Sequence, residues 1–412
     1  MGYTNAAIRG ISWVGALRFT TRAMSFARTV ILARILLPAQ FGAYGIAMLM
    51  LALLDVFTET GVNVILVQEK ENKREHIDSA WIVSIVRGIF ISLAILFCAP
   101  FVSGFFHSPE SLWLIQLISI VPFLRGFINP SVFIFQKELQ FHKEFWYRSI
   151  SFFVDASTAI LFALVTRQAA SLVYGLITGV IFEVVLSFLI VKPRPRFAIE
   201  KEYVKKILHR GKWVTASGIF NYLFHNGDNI VVGRLINTAS LGLYQMAYAL
   251  SILPITEVAD VFSRVTFPVY TKISHDSARL KKAFVKSIAL VSVLTIPFGI
   301  LLFFFPKEII HIVLGDKWLG AASVLPILAV FGVLRAISGF SSVLFLAVGK
   351  QEYVTAVTFV SFMGLAVSIV PLVLRYGMVG AGIAALIGTV VAMPLFFYYA
   401  VKILSSSKIK ND

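Results

Sequence analysis

Charge is scarce in this 412-residue chain: Asp, Glu, Lys and Arg make up 14% of it, against about a quarter in ordinary globular domains. That is too little to clothe a soluble fold of this size. Cysteine is nearly absent as well. The single Cys98 sits inside an apolar run and excludes an internal disulfide framework. There is no glycine-rich loop to cradle phosphates, no cluster of cysteine and histidine ligands, and no helix bearing two histidines and a glutamate at zinc spacing. No catalytic group, metal or cofactor is therefore expected. Without a nucleotide-binding signature, directional work would draw on an ion gradient, the membrane potential or a partner.

What the chain has instead is hydrophobic length. Apolar residues make up 58% of it and the mean hydropathy is +0.85, in runs too long and too numerous for a buried soluble core. This pattern gives an all-α polytopic membrane protein. The first run is not expected to be a cleaved signal peptide, because it holds internal arginines and further spans follow it. Spans are expected near 9–34, 41–67, 79–104, 112–134, 146–166 and 170–191, then near 213–234, 241–269, 284–306, 321–347, 353–374 and 378–402.

The net charge of +16 could suggest nucleic acid, but its distribution argues against that partner. Basic residues collect in the loops after even-numbered spans: Lys70, Lys73 and Arg74; Lys137, Lys143 and Arg148; a central run; then Lys272, Arg279, Lys281, Lys282 and Lys286. The positive-inside rule then puts both termini and the central loop in the cytoplasm. About twelve helices in two sixes follow, as an N-terminal lobe over 1–191, a basic linker over 192–212 and a C-terminal lobe over 213–412.

The two lobes are related by an internal repeat. A shift of 200 positions pairs Trp13 with Trp213, Val14 with Val214, Ala16 with Ala216, Arg34 with Arg234, Gly42 with Gly242, Tyr44 with Tyr244 and Ala47 with Ala247. Apolar character is kept between the identities, over one span, a turn and the start of the next.

Polar residues inside the spans carry the functional argument, since a basic side chain at mid-membrane costs roughly 2.5 to 3.5 kcal/mol on insertion scales. Arg18, Arg22, Ser25 and Thr29 form one stripe of the first span, with Arg28 to its side. Asp55, Glu59 and Asn63 are successive i+4 neighbours in the second. Two readings stand. Asp55 and Glu59 pair with one or two of these arginines and lock the first half together, or the arginines face water and an anionic ligand. Snorkelling or a local pair is as good an account of Arg87 and Arg125.

In the second half, Asn221, His225 and Asp228 recur at i, i+4 and i+7, and Glu257, Asp260 and Arg264 follow at i, i+3 and i+7. The repeat sets Arg28 against Asp228. His225 is either a bundle histidine bonded to Asp228 or a neighbour, or a proton relay. Arg264 is neutralised most simply by Asp260. Asp155, Glu183 and Arg335 are single polar spots, each expected to pair across helices. In the linker, prolines 193 and 195 stop the sixth span, and Ile199, Tyr203 and Ile207 then fall at helical spacing among lysines, as in a helix lying in the headgroup layer. That stretch is either a basic tether or a site for anionic lipid. No outer loop is long enough for a domain; the largest runs from Phe305 to Gly320.

Several segments resemble a known family. They are ILARILLPAQFGAYGIA near Ile31, DNIVVGRL from Asp228, LGLYQMAYAL from Leu241, TFPVY from Thr266, LGDKW from Leu314 and AVGK from Ala347. In order and spacing these are similar to the polysaccharide transporter branch of the multidrug, oligosaccharidyl-lipid and polysaccharide flippases, and most similar to its Wzx-like members. The resemblance implies two six-helix lobes around a central cavity lined by the first, second, seventh and eighth helices. It also implies export of a lipid-linked oligosaccharide, usually on undecaprenyl pyrophosphate, across the bacterial inner membrane for capsule, O-antigen or exopolysaccharide assembly. Membrane lipids, and a polymerase with its assembly machinery, are the partners it suggests. By the same resemblance, pyrophosphate binding falls to Arg18, Arg22 and Arg28. Asp55, Glu59, His225, Asp228, Glu257 and Asp260 are candidates for lining the cavity or coupling an ion. Some relatives carry two further C-terminal helices, where this chain is expected to stop after twelve. The alternatives are a cation-coupled exporter of small molecules with the same fold, which favours an acidic cavity, and a membrane glycan polymerase, which wants an outer platform.

Overall fold

A computed structural model describes residues 3–58 and 74–405; within them, the side chains of 3–12, 14, 201, 206–217, 219–221, 224, 253, 254, 260, 264 and 341 are not described. The described residues are helical almost throughout. In order the helices are α1 (Tyr3–Ile35), α2 (Pro38–Phe57), α3 (Arg74–Phe105), α4 (Pro109–Ile118), α5 (Ile120–Gly126), a 3-10 turn (Pro130–Phe133), α6 (Ile134–Lys137), α7 (Phe141–Thr166) and α8 (Ala170–Ile190). There follow α9 (Lys201–Leu235), α10 (Thr238–Lys272), α11 (Ser277–Phe304), α12 (Pro306–Val313), a second 3-10 turn (Asp316–Ser323), α13 (Leu325–Ala347) and α14 (Gln351–Ser405).

Eight of these helices are long and apolar enough to cross a membrane, so the chain is a multi-pass membrane protein. α14 is two spans, because Gly377 leaves helical geometry at φ 59 and ψ −139, a conformation only glycine adopts cheaply. The bent run from Pro109 to Lys137 is long and apolar enough for a further span. α1 and α10's predecessor α9 have spanning length, at 33 and 35 residues. Counted so, the described residues carry the expected twelve segments.

Local chemistry sets the boundaries. Pro38 opens α2, and the Leu37 N–H donates to the Gln40 side chain at 2.8 Å. Asn237 and Asp276 cap α10 and α11 by accepting from Ser240 N (2.7 Å) and Arg279 N (3.0 Å). One expected span is corrected. The stretch 112–134 is not one continuous helix: it breaks at Ser119 and again before Pro130, where the chain bends by 73°. Pro130 cannot continue a helix. Asn129 stabilises the turn by accepting from Ser131 N at 3.0 Å, while its own N–H donates to Ser187 Oγ at 3.0 Å. Asn followed by Pro is a turn signal that overall hydropathy outweighed.

The linker is also corrected. From Lys201 its helix is continuous with the seventh span as α9, and the stretch before it is strapped to the start of α3. Arg196 N donates to Asp78 Oδ1 and Glu200 N to Ser79 Oγ, each at 2.8 Å. Ser131 Oγ donates to the Pro193 carbonyl at 2.8 Å. Phe197 packs on Trp81, and Tyr203 stacks on His76 with ring centroids 4.0 Å apart. Tyr203 is therefore buried by protein and not by the headgroup layer; the Ile207 side chain lies outside the described residues.

The chain divides into two compact units, Met1–Asn226 and Gly227–Asp412, where the sequence had suggested a linker over 192–212. The second has a contiguous apolar core around Tyr270, Phe284, Phe340, Phe345 and Phe396. In the first, α7 and α8 are held close by small residues. Gly175 and Gly179 are spaced by four on α8, and a Cβ on either would come within 2.7 Å of Asp155. Gly175→Leu is accordingly expected to force the pair apart at a cost of about 1 to 3 kcal/mol, read as a lowered unfolding temperature in detergent.

Candidate functional site

The charged side chains of α1 differ in burial. Arg28 is paired: its Nη2 lies 3.1 Å from Asp155 Oδ1 on α7, with side-chain exposures of 12% and 9%. The same nitrogen donates to the Leu172 carbonyl at 3.4 Å. Tyr44 on α2 lies within hydrogen-bonding reach of Arg28. The two glycines of α8 make room for Asp155 in this contact. Arg18 and Arg22 are exposed on α1, and Ser25 and Thr29 are half-buried.

The partners of Asp55 lie on α3 and α5. Asp55 takes Arg87 and Arg125. Arg87 Nη2 donates to Asp55 Oδ1 at 3.2 Å and to its carbonyl at 2.8 Å, while Nε donates to Thr58 Oγ1 at 3.1 Å. Arg125 Nη1 stands 3.6 Å from Asp55 Oδ2. Arg87 and Arg125 thus each have a carboxylate nearby. Glu59 and Asn63 lie outside the described residues.

In the second unit Asp228 is buried, and its partners are satisfied locally. Tyr244 donates its hydroxyl to Oδ2 at 2.9 Å, and Asn229 donates to Oδ1 from its backbone N (2.8 Å) and its Nδ2 (3.1 Å). Tyr248, one turn along α10, accepts from Arg335 Nη1 of α13 at 2.8 Å. Arg335 also lies over the Phe331 ring, 5.7 Å from its centroid. His225 is exposed on α9 and Glu257 half-buried on α10; the side chains of Asp260 and Arg264 lie outside the described residues.

These two clusters follow one plan with the charges exchanged. Each has a charge at a repeat-equivalent position of its unit's first helix, Arg28 or Asp228, and a tyrosine at a repeat-equivalent position of the next, Tyr44 or Tyr244. A countercharge comes from a later helix, Asp155 or Arg335. Sequence reasoning expected Asp155 and Arg335 each to pair across helices but could not name their partners. The paired tyrosines were visible among the repeat's identities, but nothing local joins Asp155 to Arg28 across a separation of 127 positions.

Comparison with known proteins gives the family and the fold. A family model described as polysaccharide biosynthesis protein matches residues 31–323. The chain belongs to that family. Relatives within reach of this polysaccharide biosynthesis protein include a membrane protein from the cps region of Klebsiella pneumoniae, 25% identical over 398 residues, which are 96% of this chain and 82% of that one. The lipopolysaccharide biosynthesis protein WzxC of Escherichia coli is 25% identical over 350 residues, 82% of this chain and 69% of WzxC. Among solved structures, the lipid II flippase MurJ in an inward closed conformation matches with a TM-score of 0.76 at 17% identity, covering 96% of this chain and 89% of MurJ. An inward-facing multidrug transporter of the MATE family matches at 0.70 and 16%, covering 93% and 94%. These last two share the fold.

The Arg28–Asp155 contact generates a test. Asp155→Asn strips a buried guanidinium of its counterion and is expected to cost roughly 3 to 5 kcal/mol. Combining it with Arg28→Gln should restore most of that loss, as measured by unfolding of both variants in detergent.

Proposed function

We propose that this protein is a flippase that carries a lipid-linked oligosaccharide from the cytoplasmic to the outer leaflet of the cell membrane, for assembly of a cell-surface polysaccharide. The observation that carries the reading is the pair Arg18 and Arg22, exposed four residues apart on a helix of spanning length. Membership of the polysaccharide biosynthesis family, and relatives named for lipopolysaccharide, teichuronic acid and succinoglycan synthesis, support the substrate class.

Two arginine forks suit a pyrophosphate, since each planar guanidinium can hold two phosphate oxygens at once. The reading gives that ligand to Arg18 and Arg22. Arg28, already held by Asp155, fixes α1 on α7 and sets the register of the stripe. The lipid tail stays in the bilayer while the sugars follow the wet path, and alternating access moves the headgroup without forming or breaking a bond. Both termini lie on the cytoplasmic side, as the loop charges require.

The membrane potential can bias the step. Two negative charges moving outward from an inside-negative cell release about 2.3 kcal/mol each per 100 mV when no counterion travels along. Asp228, Glu257 and Asp260 are assigned to the return of the empty carrier, and a glycan polymerase receives the product.

Transfer of a labelled undecaprenyl-pyrophosphate oligosaccharide between leaflets of proteoliposomes tests this. The wild type should transfer, and Arg18→Ala plus Arg22→Ala, at equal insertion, should lose at least about tenfold of the rate, some 1.4 kcal/mol. An inside-negative potential should accelerate the outward step. Undiminished transfer by the double variant would return both arginines to a structural role, and absence of transfer by the wild type would sink the substrate class.

A further inference from the structure

The first unit holds a second charged constellation, separate from the α1 stripe. Six charged side chains line one cavity of about 410 Å³: Asp55, Arg87, Arg125, Glu144, Arg148 and Glu183. That volume falls in the range of small-ligand sites, roughly 300 to 1,000 Å³. The break before Pro130 helps to open it, since residues on both sides of the bend line the wall.

The six do not pair off evenly. On α2, α3 and α5, two guanidiniums share one carboxylate: Arg87 is bonded to Asp55 twice, and Arg125 reaches it only at 3.6 Å. Arg125 keeps 43% side-chain exposure in a membrane-embedded helix pair. On α7 and α8 the imbalance is reversed, with two carboxylates to one guanidinium. Glu144 Oε1 accepts from Arg148 Nε at 2.9 Å and from Gln136 Nε2 at 2.8 Å. Glu183 lies beside the Tyr147 hydroxyl, which donates to its carbonyl at 3.1 Å, and no cation pairs with it among the described residues.

One cavity thus carries a surplus cation on one set of helices and a surplus anion on another, with no ion pair joining Arg125 to Glu183 among the described residues. Inside a membrane protein neither surplus is tolerated cheaply. A simple anion would settle Arg125 and leave Glu183, and a simple cation would do the reverse. The ligand that settles both is a zwitterion.

We propose that this cavity binds a zwitterion bearing a phosphate and a primary ammonium, as in a phosphoethanolamine headgroup. The phosphate sits on Arg125, beside Arg87, where a forked donor matches its oxygens. The ammonium, with three N–H donors, sits on Glu183 and Glu144. The cavity extends to Gln136 and Arg148 in the basic segment that the charge rule assigns to the cytoplasmic face, so a lipid headgroup of that leaflet can enter it. A soluble phosphoethanolamine has the same chemistry.

The test is thermal unfolding of the purified full-length protein in detergent, titrated with short-chain phosphatidylethanolamine, phosphatidylcholine or phosphatidylglycerol, or with soluble O-phosphoethanolamine. Phosphatidylethanolamine should stabilise saturably, with the other two lipids at least about tenfold weaker. Arg125→Gln and Glu183→Gln should each weaken it by about tenfold. Should either fail to fold, Arg125→Lys and Glu183→Asp keep the charge but shift its position, and are expected to give smaller losses in the same order. Competition by O-phosphoethanolamine identifies the headgroup as sufficient; stabilisation by the lipid alone shows that the chains contribute. Equal stabilisation by phosphatidylglycerol, equal effects of all three lipids, or variants that respond like the wild type would overturn the assignment. The readout does not involve transport, so it stands or falls apart from the flippase reading.

Discussion

A guanidinium placed among hydrocarbon must find an anion close by, and the first unit is arranged around that need. Arg28 meets Asp155, and Asp155 can stand there because Gly175 and Gly179 leave a space that any larger side chain would fill. The close approach of α7 and α8 and the placement of α1 on α7 are thus parts of one electrostatic solution. Asp55 does the same for α2, α3 and α5 by holding Arg87 and Arg125. These contacts hold together helices that hydrophobicity alone would leave free to slide, since lipid chains are as apolar as the helices themselves.

The second unit keeps the plan and changes its sign. A buried carboxylate, Asp228, stands where the first unit has Arg28, and Tyr244 stands where it has Tyr44. Arg335 supplies the opposite charge through Tyr248. A duplicated backbone can preserve helix lengths and tyrosine anchors while its two copies exchange the sign of the buried charge.

Much of this architecture was legible in the sequence. Span number, the two related halves and the break near Gly377 follow from hydropathy, loop charge and self-similarity, which are summed over many residues and survive local errors. The ion pairs were not legible, because they join helices far apart in the chain: helical spacing names the stripe that Asp55 belongs to but not the helix it faces. The same limit hid the bend before Pro130, where two residues, Asn129 and Pro130, outweigh a run of some twenty apolar ones. The linker misled for a different reason. Lysines around Ile199 and Tyr203 read as a headgroup-layer helix, whereas backbone N–H groups met side chains of α3 that composition does not reveal.

That strap bears on how the protein is made. Asp78 and Ser79 belong to the third helix of the chain, yet their buried side chains accept from the backbone of Arg196 and Glu200, and the His76 ring is stacked on Tyr203. During synthesis the first six spans can insert one after another, but the start of α3 stays unfinished until more than a hundred further residues have left the ribosome. The first unit is therefore closed by its own last segment, and the order of synthesis itself delays completion of its third helix until that segment has emerged.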